Sequence, residues 1–393
     1  MSLEVNIKKR LGGFTLDVAF SAGDGVLALL GASGCGKSMT LRCIAGIERP
    51  DEGRIVLGDR VLFDSAQKIN LPPQKRRVGL LFQNYALFPT MTVEQNIAAS
   101  LSKKDRGQVA EYIRRFRLEG LERRLPDQLS GGQQQRTALA RMLITQPDLL
   151  MLDEPFSALD AHLRWELEQE VMAVTRQFGG TTLLVSHNRD EVYRIAGSIA
   201  VYGHGSVDRV GDKWDLFRDP QTAVTARLTG CKNIAPARWE GDRVTVPDWG
   251  LTLAARHPGR EVNCVGLRAH YLRGADRLGE NVFRYQVDAT IEDTFSFILM
   301  IRPADRPQAV PIRWELSKAD YAALRDSWPI SRRRPYSPCG GEPAAVKFSA
   351  QSRADARLWA LFARPPRRAE KEWRPFVKKL YSITDLHRDM ALI

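Results

Sequence analysis

Long hydrophobic runs are missing from this 393-residue sequence. Its longest uninterrupted apolar stretches, such as VLALL and ILMI, are far shorter than the roughly 18 residues that a membrane-spanning helix requires. The opening residues MSLEVNIKKR contain neither an apolar core nor a cleavage site, so we expect no signal peptide. These absences predict a chain that does not insert into a membrane by itself.

Paired cysteines are also missing. The five cysteines show no regular spacing, which argues against a disulfide framework and against a zinc site, and is typical of a reducing cytoplasm. We find no internal repeat of 20 to 50 residues and no sustained heptad pattern, so neither a repeat array nor a long coiled coil is expected. The cysteines are Cys35, Cys43, Cys231, Cys264 and Cys339.

Positive charge is abundant but unevenly placed. The chain carries a formal charge of +12, and residues 331–393 alone hold 14 Lys and Arg against 6 Asp and Glu. The main body is therefore nearly balanced, and a nucleic-acid partner is not expected. The segment PISRRRPYSPCGGEP cannot bury a core, so the basic tail is expected to be disordered apart from a short helix or two. A lineage-specific extension, a shifted reading frame and a contact with anionic lipid headgroups remain alternatives for this tail.

Two patterns of hydrophobicity divide the chain. VLALL, DLLMLDEP and TTLLVSHN are short continuous apolar runs that alternate with helical segments, which predicts an α/β layer with central parallel strands over residues 1–229. A more helical subdomain is expected at about 90–145. VFRYQVDATI alternates with period two, and DRVTV, EVNCVGL and VPIRWEL resemble it, which predicts a small, mainly β domain over 230–328 before the tail at 329–393.

The segment GASGCGKS matches the phosphate-binding pattern G-x-x-x-x-G-K-S between a strand and a helix. Glycines allow its backbone N–H groups to turn inwards around an anion, Lys37 supplies charge to the β- and γ-phosphates, and the Ser38 hydroxyl is a ligand for Mg²⁺. Cys35 within this loop predicts that thiol alkylation inhibits the protein. The expected nucleotide contacts are Gly31, Ala32, Ser33, Gly34, Cys35, Gly36, Lys37, Ser38 and Met39.

Polar residues follow three of the predicted strands. Asp153 ends one apolar run and is expected in the Mg²⁺ shell, and the adjacent Glu154 is placed to polarise an attacking water. His187 ends another run, where a neutral imidazole is able to contact the γ-phosphate or hold that water. Gln83, after LLF, is assigned to the same site in the same sense as His187.

The segment LSGGQQQR predicts a second phosphate-binding device. A glycine pair precedes a helix expected to begin near residue 133, whose N-terminus offers free N–H groups and a positive dipole end. Because the chain has a single P-loop, we expect this device to close over the nucleotide of another chain, with the segment from Ser157 to Asp160 lining the same seam. The predicted contacts are Ser130, Gly131, Gly132 and Gln133.

These motifs, in this order and spacing, resemble the nucleotide-binding subunit of an ATP-binding-cassette (ABC) transporter over residues 1–229. The resemblance implies a head-to-tail homodimer that encloses two ATP molecules. It also implies that Gln83 senses Mg²⁺ and the γ-phosphate and faces a membrane partner. Asp153 becomes the magnesium-side carboxylate, Glu154 the catalytic carboxylate and His187 the switch histidine, while Phe14 is the aromatic expected to stack on adenine.

Residues 230–328 resemble the TOBE-like β domain of importer ATPases. The resemblance therefore implies an α/β P-loop ABC ATPase domain with a helical subdomain, a small C-terminal mainly-β domain and a basic tail. The long loop before RRVG is most similar to molybdate importers, with sulfate as the nearest rival and iron, polyamine and sugar as others. The implied partners are an integral membrane permease and, indirectly, a periplasmic or extracellular substrate-binding protein. The implied location is peripheral, on the cytoplasmic face of the membrane.

Two other classes stay open at this point. A soluble ABC ATPase that acts on DNA or ribosomes usually carries two cassettes or a long coiled coil, and neither is predicted here. A nucleic-acid-binding regulator is suggested only by the pI of about 9.6. Retention on membranes through a partner distinguishes the importer subunit from both.

Overall fold

A computed structural model describes residues 1–102, 105–157, 161–255, 262–275, 278–326, 344–348 and 359–361. The chain divides into two compact units, Met1–Arg218 and Asp219–Ile393. No helix within these ranges is long and apolar enough to cross a membrane.

The first unit is built on one mixed sheet of eleven described strands. From edge to edge, their order is β6-β5-β4-β1-β2-β11-β10-β3-β9-β8-β7. The strands are β1 (Leu3–Leu11), β2 (Phe14–Ala22), β3 (Gly25–Leu30), β4 (Glu52–Leu57), β5 (Arg60–Asp64), β6 (Ile69–Asn70), β7 (Val78–Leu81), β8 (Leu149–Asp153), β9 (Thr181–Ser186), β10 (Ser198–Gly203) and β11 (Ser206–Asp212).

The parallel part of the sheet contains the continuous apolar runs. Strands β3, β9, β8 and β7 are parallel neighbours, and every residue of β8 and β9 is buried. Continuous burial requires apolar residues on both faces, which explains why these runs do not alternate. Parallel pairing also brings the carboxyl ends of the four strands to one edge of the sheet.

The antiparallel part of the sheet follows a different pattern. In β1 and β2, buried and exposed residues alternate, because one face covers the core and the other meets solvent. These strands pair antiparallel with each other, and β4 and β5 continue the pattern. The apolar runs predicted only the layer of alternating strands and helices, so this antiparallel wing is an addition.

Three of the helices lie where the helical subdomain was predicted. Thr92 caps α3 with Gln95 in a reciprocal capping box. Val109, Ile113 and Phe116 are buried, and their spacing of i, i+4, i+7 puts them on one face. The helices of the first unit are α1 (Lys37–Ala45), α2 (Pro73–Arg76), α3 (Val93–Ala98), α4 (Val109–Arg115), α5 (Gly131–Leu143), α6 (Ala161–Phe178), α7 (Arg189–Ile195) and α8 (Lys213–Arg218).

The second unit is mainly β. Its described strands form two three-stranded sheets and one five-stranded sheet around a core that includes Trp249 and Trp314. The elements are α9 (Ala223–Leu228), β12 (Asn233–Pro236), β13 (Arg238–Glu240), β14 (Arg243–Val246), β15 (Leu251–Ala254), β16 (Cys264–Leu267), β17 (Leu272–Ala275), β18 (Val282–Glu292), β19 (Ser296–Pro303), β20 (Ile312–Ser317), α10 (Lys318–Asp326), β21 (Ala344–Phe348) and β22 (Trp359–Leu361).

Two details of this unit differ from the sequence-based expectation. The alternation in β18 is interrupted by a register shift between Val287 and Ala289, and Ala289 is exposed although the pattern placed it inside. The tail was expected to hold at most short helices, yet β21 pairs with β17 and β18, and β22 pairs with β16. Strand pairing gives these two tail segments hydrogen-bond partners that composition alone does not reveal. The boundaries at 229 and 328 stay predictions.

Candidate nucleotide-binding site

The P-loop connects β3 to α1 and leaves the first turn of that helix uncapped. Its N-cap residue is Gly36, in a left-handed conformation with φ 105°, and no side chain caps the helix. The first turn contains no acidic residue. The N–H groups of this turn are therefore donors without a side-chain acceptor, at the positive end of the helix dipole. Such a helix end is suited to bind phosphate.

Close packing requires glycine at both ends of the loop. A Cβ atom on Gly31 would lie 2.7 Å from the Cys35 Sγ and 2.9 Å from the Tyr202 carbonyl oxygen. A Cβ atom on Gly36 would lie 2.5 Å from the Leu16 side chain. Both positions exclude any larger residue, so the loop keeps its tight path around the helix end.

Lys37 folds its ammonium group back over the same loop. The side chain is buried, and its Nζ donates to the Gly31 carbonyl at 2.7 Å and to the Ala32 carbonyl at 2.9 Å. Ala32, with the next residues Ser33 and Gly34, is exposed. The positive charge of Lys37 thus lies inside the P-loop, among the residues predicted to contact phosphate. Cys35 is buried and Met39 packs partly against the core, so these two are enclosed rather than open to solvent.

Ser38 and Asp153 meet although 115 positions separate them. The Ser38 hydroxyl donates to the Asp153 Oδ1 at 2.8 Å. Burial raises the pKa of Asp153, the nearby Glu154 raises it further, and the Ser38 hydrogen bond opposes the shift. A hydroxyl and a carboxylate at this spacing are hard oxygen donors, the ligand type that Mg²⁺ prefers. The residues present therefore fit the predicted metal.

Glu154 and His187 form the second polar pair at the sheet edge. The His187 Nδ1 lies 3.2 Å from the Glu154 Oε1. The Glu154 N–H donates to the Val185 carbonyl at 3.0 Å, which ties the end of β8 to β9. Glu154 has φ 46°, and a left-handed non-glycine residue is held there by its surroundings at some cost in energy. Half of the His187 side chain is exposed, with a relative accessibility of 53%.

Gln83 lies at the same edge of the sheet as the two pairs. It follows β7, whose Leu81 is in register with Leu152 of β8. Its side chain is exposed. The parallel register therefore brings the ends of three strands together, as the sequence analysis expected.

The segment LSGGQQQR contains the start of α5. The helix begins at Gly131, two residues earlier than expected. Ser130 caps the helix, with its Oγ 3.4 Å from the Gln133 nitrogen, and the Gln133 Oε1 accepts from the Ser130 N–H at 2.9 Å. The hydroxyl oxygen is used as an acceptor, and its hydrogen stays available to donate. Ser157 donates its hydroxyl to the Glu154 carbonyl at 3.0 Å. Asp160 lies outside the described residues.

The ring of Phe14 lies beside the P-loop. It is only half-buried, and it comes within 3.3 Å of the position that a Cβ on Gly36 would take. It also lies 3.2 Å from the corresponding position at Gly205. This places the ring next to the proposed phosphate site, the neighbourhood in which an adenine-stacking residue was expected.

Sequence reasoning missed a group of residues behind the site. The Tyr85 hydroxyl lies 3.4 Å from the Gln135 Oε1 and 3.5 Å from the Pro155 carbonyl, and Arg141 binds the Tyr85 carbonyl at 2.9 Å. These residues come from three separate stretches of the chain. An isolated tyrosine or arginine in a helical segment gives no signal of such a meeting point.

Comparisons with known proteins agree with this geometry. The family described as ABC transporter matches residues 15–157. The sulfate/thiosulfate import ATP-binding protein of Chromobacterium violaceum is 41% identical over 269 residues, covering 66% of this chain and 72% of the relative. The molybdenum import ATP-binding protein of Rhodospirillum rubrum is 33% identical over 322 residues, covering 81% and 76%. The Fe(3+) ions import ATP-binding protein of Escherichia coli O157:H7 is 36% identical over 274 residues, covering 67% and 76%.

The relatives share the role of import ATP-binding protein and differ in the transported species that their names give. The match to the family and the length of the shared region establish the coarse activity, which is ATP binding and hydrolysis. The fold is accordingly an ABC ATPase fold followed by small β sheets. From these matches and the P-loop geometry, we conclude that the chain belongs to the ATP-binding subunits of ABC importers.

Proposed function

We propose that this chain energises uptake of an oxyanion, with molybdate as the first candidate. The observation that carries the residue roles is the pairing of Ser38 with Asp153 beside the pairing of Glu154 with His187. Two functionally distinct carboxylates stand next to each other at the edge where the P-loop begins. That arrangement suits phosphoryl transfer to water, in which positioning and charge stabilisation do most of the catalysis.

The P-loop residues bind the phosphates of ATP in this proposal. The uncapped N–H groups of α1 donate to phosphate oxygens, and Lys37 turns its ammonium group from the loop carbonyls towards them. Ser38 and Asp153, with Gln83, hold Mg²⁺. When bound, Mg²⁺ offsets negative charge on the phosphates. Phe14 stacks on the adenine.

Glu154 orients the attacking water, and His187 fixes Glu154. The His187 Nδ1 lies 3.2 Å from the Glu154 Oε1. In this proposal Nδ1 carries the imidazole proton towards the Glu154 carboxylate, and Nε2 is left for the γ-phosphate or the water. The water attacks only when Glu154 holds it in line with the phosphorus. The position of the Glu154 carboxylate therefore matters more than its basicity.

A second copy of the chain completes each site. Ser130 donates its free hydroxyl hydrogen, and the first turn of α5 its N–H groups, to the nucleotide held by the P-loop of the partner copy. A head-to-tail dimer therefore has two composite sites. The segment from Gln83 to Phe88 contacts an integral membrane permease on the cytoplasmic face of the membrane. An external substrate-binding protein acts only through that permease.

The choice of cargo rests on relatives. Both alignments are longer than the first unit, Met1–Arg218, and so extend into the second; the molybdenum relative aligns over 322 residues, and the sulfate relative over 269 residues at higher identity. The longer alignment favours molybdate, and sulfate is the second candidate. Either oxyanion is compatible with the same ATP site.

The catalytic assignment is tested with Glu154→Gln. We expect ATP binding to persist, turnover to fall by about 100-fold or more, and an ATP-bound dimer to accumulate in size-exclusion chromatography. The matched control is Glu166→Gln, an exposed carboxylate on α6, which should keep the parental rate. Parental turnover in Glu154→Gln would refute the assignment.

The cargo is tested by uptake of labelled molybdate and labelled sulfate in cells whose only copy is the parent or Glu154→Gln. Loss of molybdate uptake alone supports the proposed cargo. Loss of sulfate uptake alone moves the cargo to the second candidate and keeps the ATPase role. Loss of neither contradicts both cargo assignments.

A further inference from the structure

The loop after Gln83 contains two consecutive strained residues. Tyr85 has φ 59° and Ala86 has φ 45°, and neither is glycine. Left-handed backbone is unfavourable for each such residue, so surrounding contacts must hold the loop in this form. Phe88 follows on the same loop, with 46% of its surface exposed.

One guanidinium group holds this loop. Arg141, from α5, donates to the Tyr85 carbonyl at 2.9 Å and to the Ala86 carbonyl at 2.8 Å, and its Cζ lies 5.2 Å from the centre of the Phe88 ring. No carboxylate in the described ranges forms an ion pair with it. Burial lowers the pKa of Arg141, because its charge is removed from water to serve carbonyls and a ring. Asn96 also holds the loop, because its side-chain Oδ1 accepts a hydrogen bond from the Phe88 N–H at 2.9 Å.

The same loop contacts the catalytic segment. The Tyr85 hydroxyl lies near the Pro155 carbonyl, one residue after Glu154, and near Gln135 of α5. The Gln135 side chain is completely buried, and its Nε2 has no partner among the described residues. Both hydroxyl contacts are long, at 3.4 and 3.5 Å, so this junction is weakly bonded. Arg141 is therefore the main polar link between α5 and the loop.

We propose that Arg141 is a positioning residue that fixes the loop from Gln83 to Phe88 against α5. Its two N–H donors hold the double left-handed turn, so that Gln83 keeps its place at the sheet edge while Phe88 stays at the surface. The inference rests on the proposed role of Gln83. Lysine cannot replace this function, because a single ammonium group does not present two coplanar donors and a flat face at once.

The kinetic test is a double-mutant cycle on steady-state ATP hydrolysis. We expect Arg141→Lys and Gln83→Ala each to lower kcat about tenfold with KM for ATP changed less than about twofold, and the double variant to match either single variant. Multiplied effects, about 100-fold in the double variant, would overturn the proposal, because independent sites add in free energy. Arg115→Lys is the matched control, since Arg115 also stacks on aromatic rings but touches neither the loop nor the site.

Hydrogen–deuterium exchange provides a readout that does not require ATPase activity. Arg141→Lys should raise amide exchange in residues 83–88 by about tenfold or more while α5 and β7 keep their protection, because only the loop loses its anchor. Unchanged exchange in this loop would overturn the proposal whatever the rates show. Faster exchange combined with full activity of Gln83→Ala would instead refute the proposed role of Gln83, so the two failures are distinguishable.

Discussion

The two units of the chain bury different kinds of side chain. Within the described residues, the core of the second unit is formed by apolar and aromatic side chains, and Arg268 is its one charged residue below a tenth exposed. Charges out of water cost free energy unless they are paired, so their accumulation in the first unit points to a role beyond stability. The buried charged residues of the first unit are Lys37, Asp64, Arg76, Asp153, Glu168 and Glu191.

The difference in buried side chains separates the proposed catalytic function of the first unit from the folding of the second unit. Two of the buried charges of the first unit, Lys37 and Asp153, lie in the proposed nucleotide site. The second unit gains stability from two large buried rings, Trp249 and Trp314, and presents no comparable cluster of titratable groups in its described part. Substitutions in the proposed site of the first unit should therefore change ATPase activity, and substitutions in the core of the second unit should change the stability of that unit.

The largest expected effect is on activity, in Asp153→Asn. We expect kcat to fall about 100-fold or more, because the carboxylate proposed to hold Mg²⁺ is lost while the Ser38 hydrogen bond persists. At neutral pH, the free energy of unfolding of Asp153→Asn should be higher than that of the parent. Burial raises the pKa of Asp153 above 3.8, so the folded state binds the proton more tightly, and the parent loses stability as pH rises through the window between 3.8 and that raised pKa.

Thermal melts of the parent and Asp153→Asn at pH 7 and near pH 3.5 test both parts. The variant should melt at higher temperature at pH 7, and its advantage should shrink in acid, where Asp153 is protonated in both states. The exposed Asp59→Asn is the matched control. A variant that is less stable at pH 7 would show that the Asp153 charge stabilises the fold.

The opposite behaviour is expected in the second unit for Trp314→Ala. Trp314 is fully buried, donates its Nε1–H to the Leu272 carbonyl at 3.1 Å and stacks edge-on against Tyr285 at 5.6 Å. Truncation should lower the free energy of unfolding of this unit by about 3–5 kcal/mol. ATP turnover should stay within about twofold of the parent, because no residue of the proposed site lies in this unit.

Chemical denaturation followed by fluorescence, together with an ATPase assay, checks this separation. Phe295→Ala is the control, since Phe295 is 86% exposed and its loss should change stability by about 0.5 kcal/mol or less. Loss of ATPase activity in Trp314→Ala without loss of the first unit's stability would contradict the separation of the two units.

Arg76 sharpens the comparison because it is a buried charge in the first unit without a place at the sheet edge. It donates to the carbonyls of Leu71, Cys43 and Ile44 at 2.7 to 2.8 Å, the last two at the end of α1. Arg76→Met should cost on the order of 3 kcal/mol of unfolding free energy, because buried carbonyls lose a charged donor. KM for ATP should change little in the protein that remains folded.

Urea denaturation measures the loss, and the neighbouring Arg77→Met is its control. The Arg77 side chain is 61% exposed, so its ion pair with Asp148 should contribute at most about 1 kcal/mol. Equal losses in the two variants would mean that burial of Arg76 is not the cause.

The sequence predicted the P-loop and the parallel strands of the first unit because these features depend on local spacing. The P-loop and the apolar runs that precede Asp153 and His187 each lie within a few residues of chain. Arg141 and Gln135 escaped prediction, because their function depends on a loop about 50 positions away. The tail strands escaped for the same reason, since β21 and β22 are defined by partners about 60 to 100 residues earlier in sequence.

The smallest expected effect concerns Cys35, for which the sequence predicts that alkylation inhibits the protein and the structure shows an enclosed thiol. Cys35 is only 7% exposed, and burial raises its pKa above 9.0, with the nearby Lys37 opposing the shift. Since the thiolate is the reactive form, alkylation of the folded protein at pH 8 should be at least about tenfold slower than alkylation of the urea-unfolded chain. The rate should rise with pH, because the thiolate fraction increases towards the raised pKa. Site-resolved mass spectrometry after timed iodoacetamide treatment measures it, and equal rates in the folded and unfolded states would place Cys35 in an open loop rather than the enclosed one.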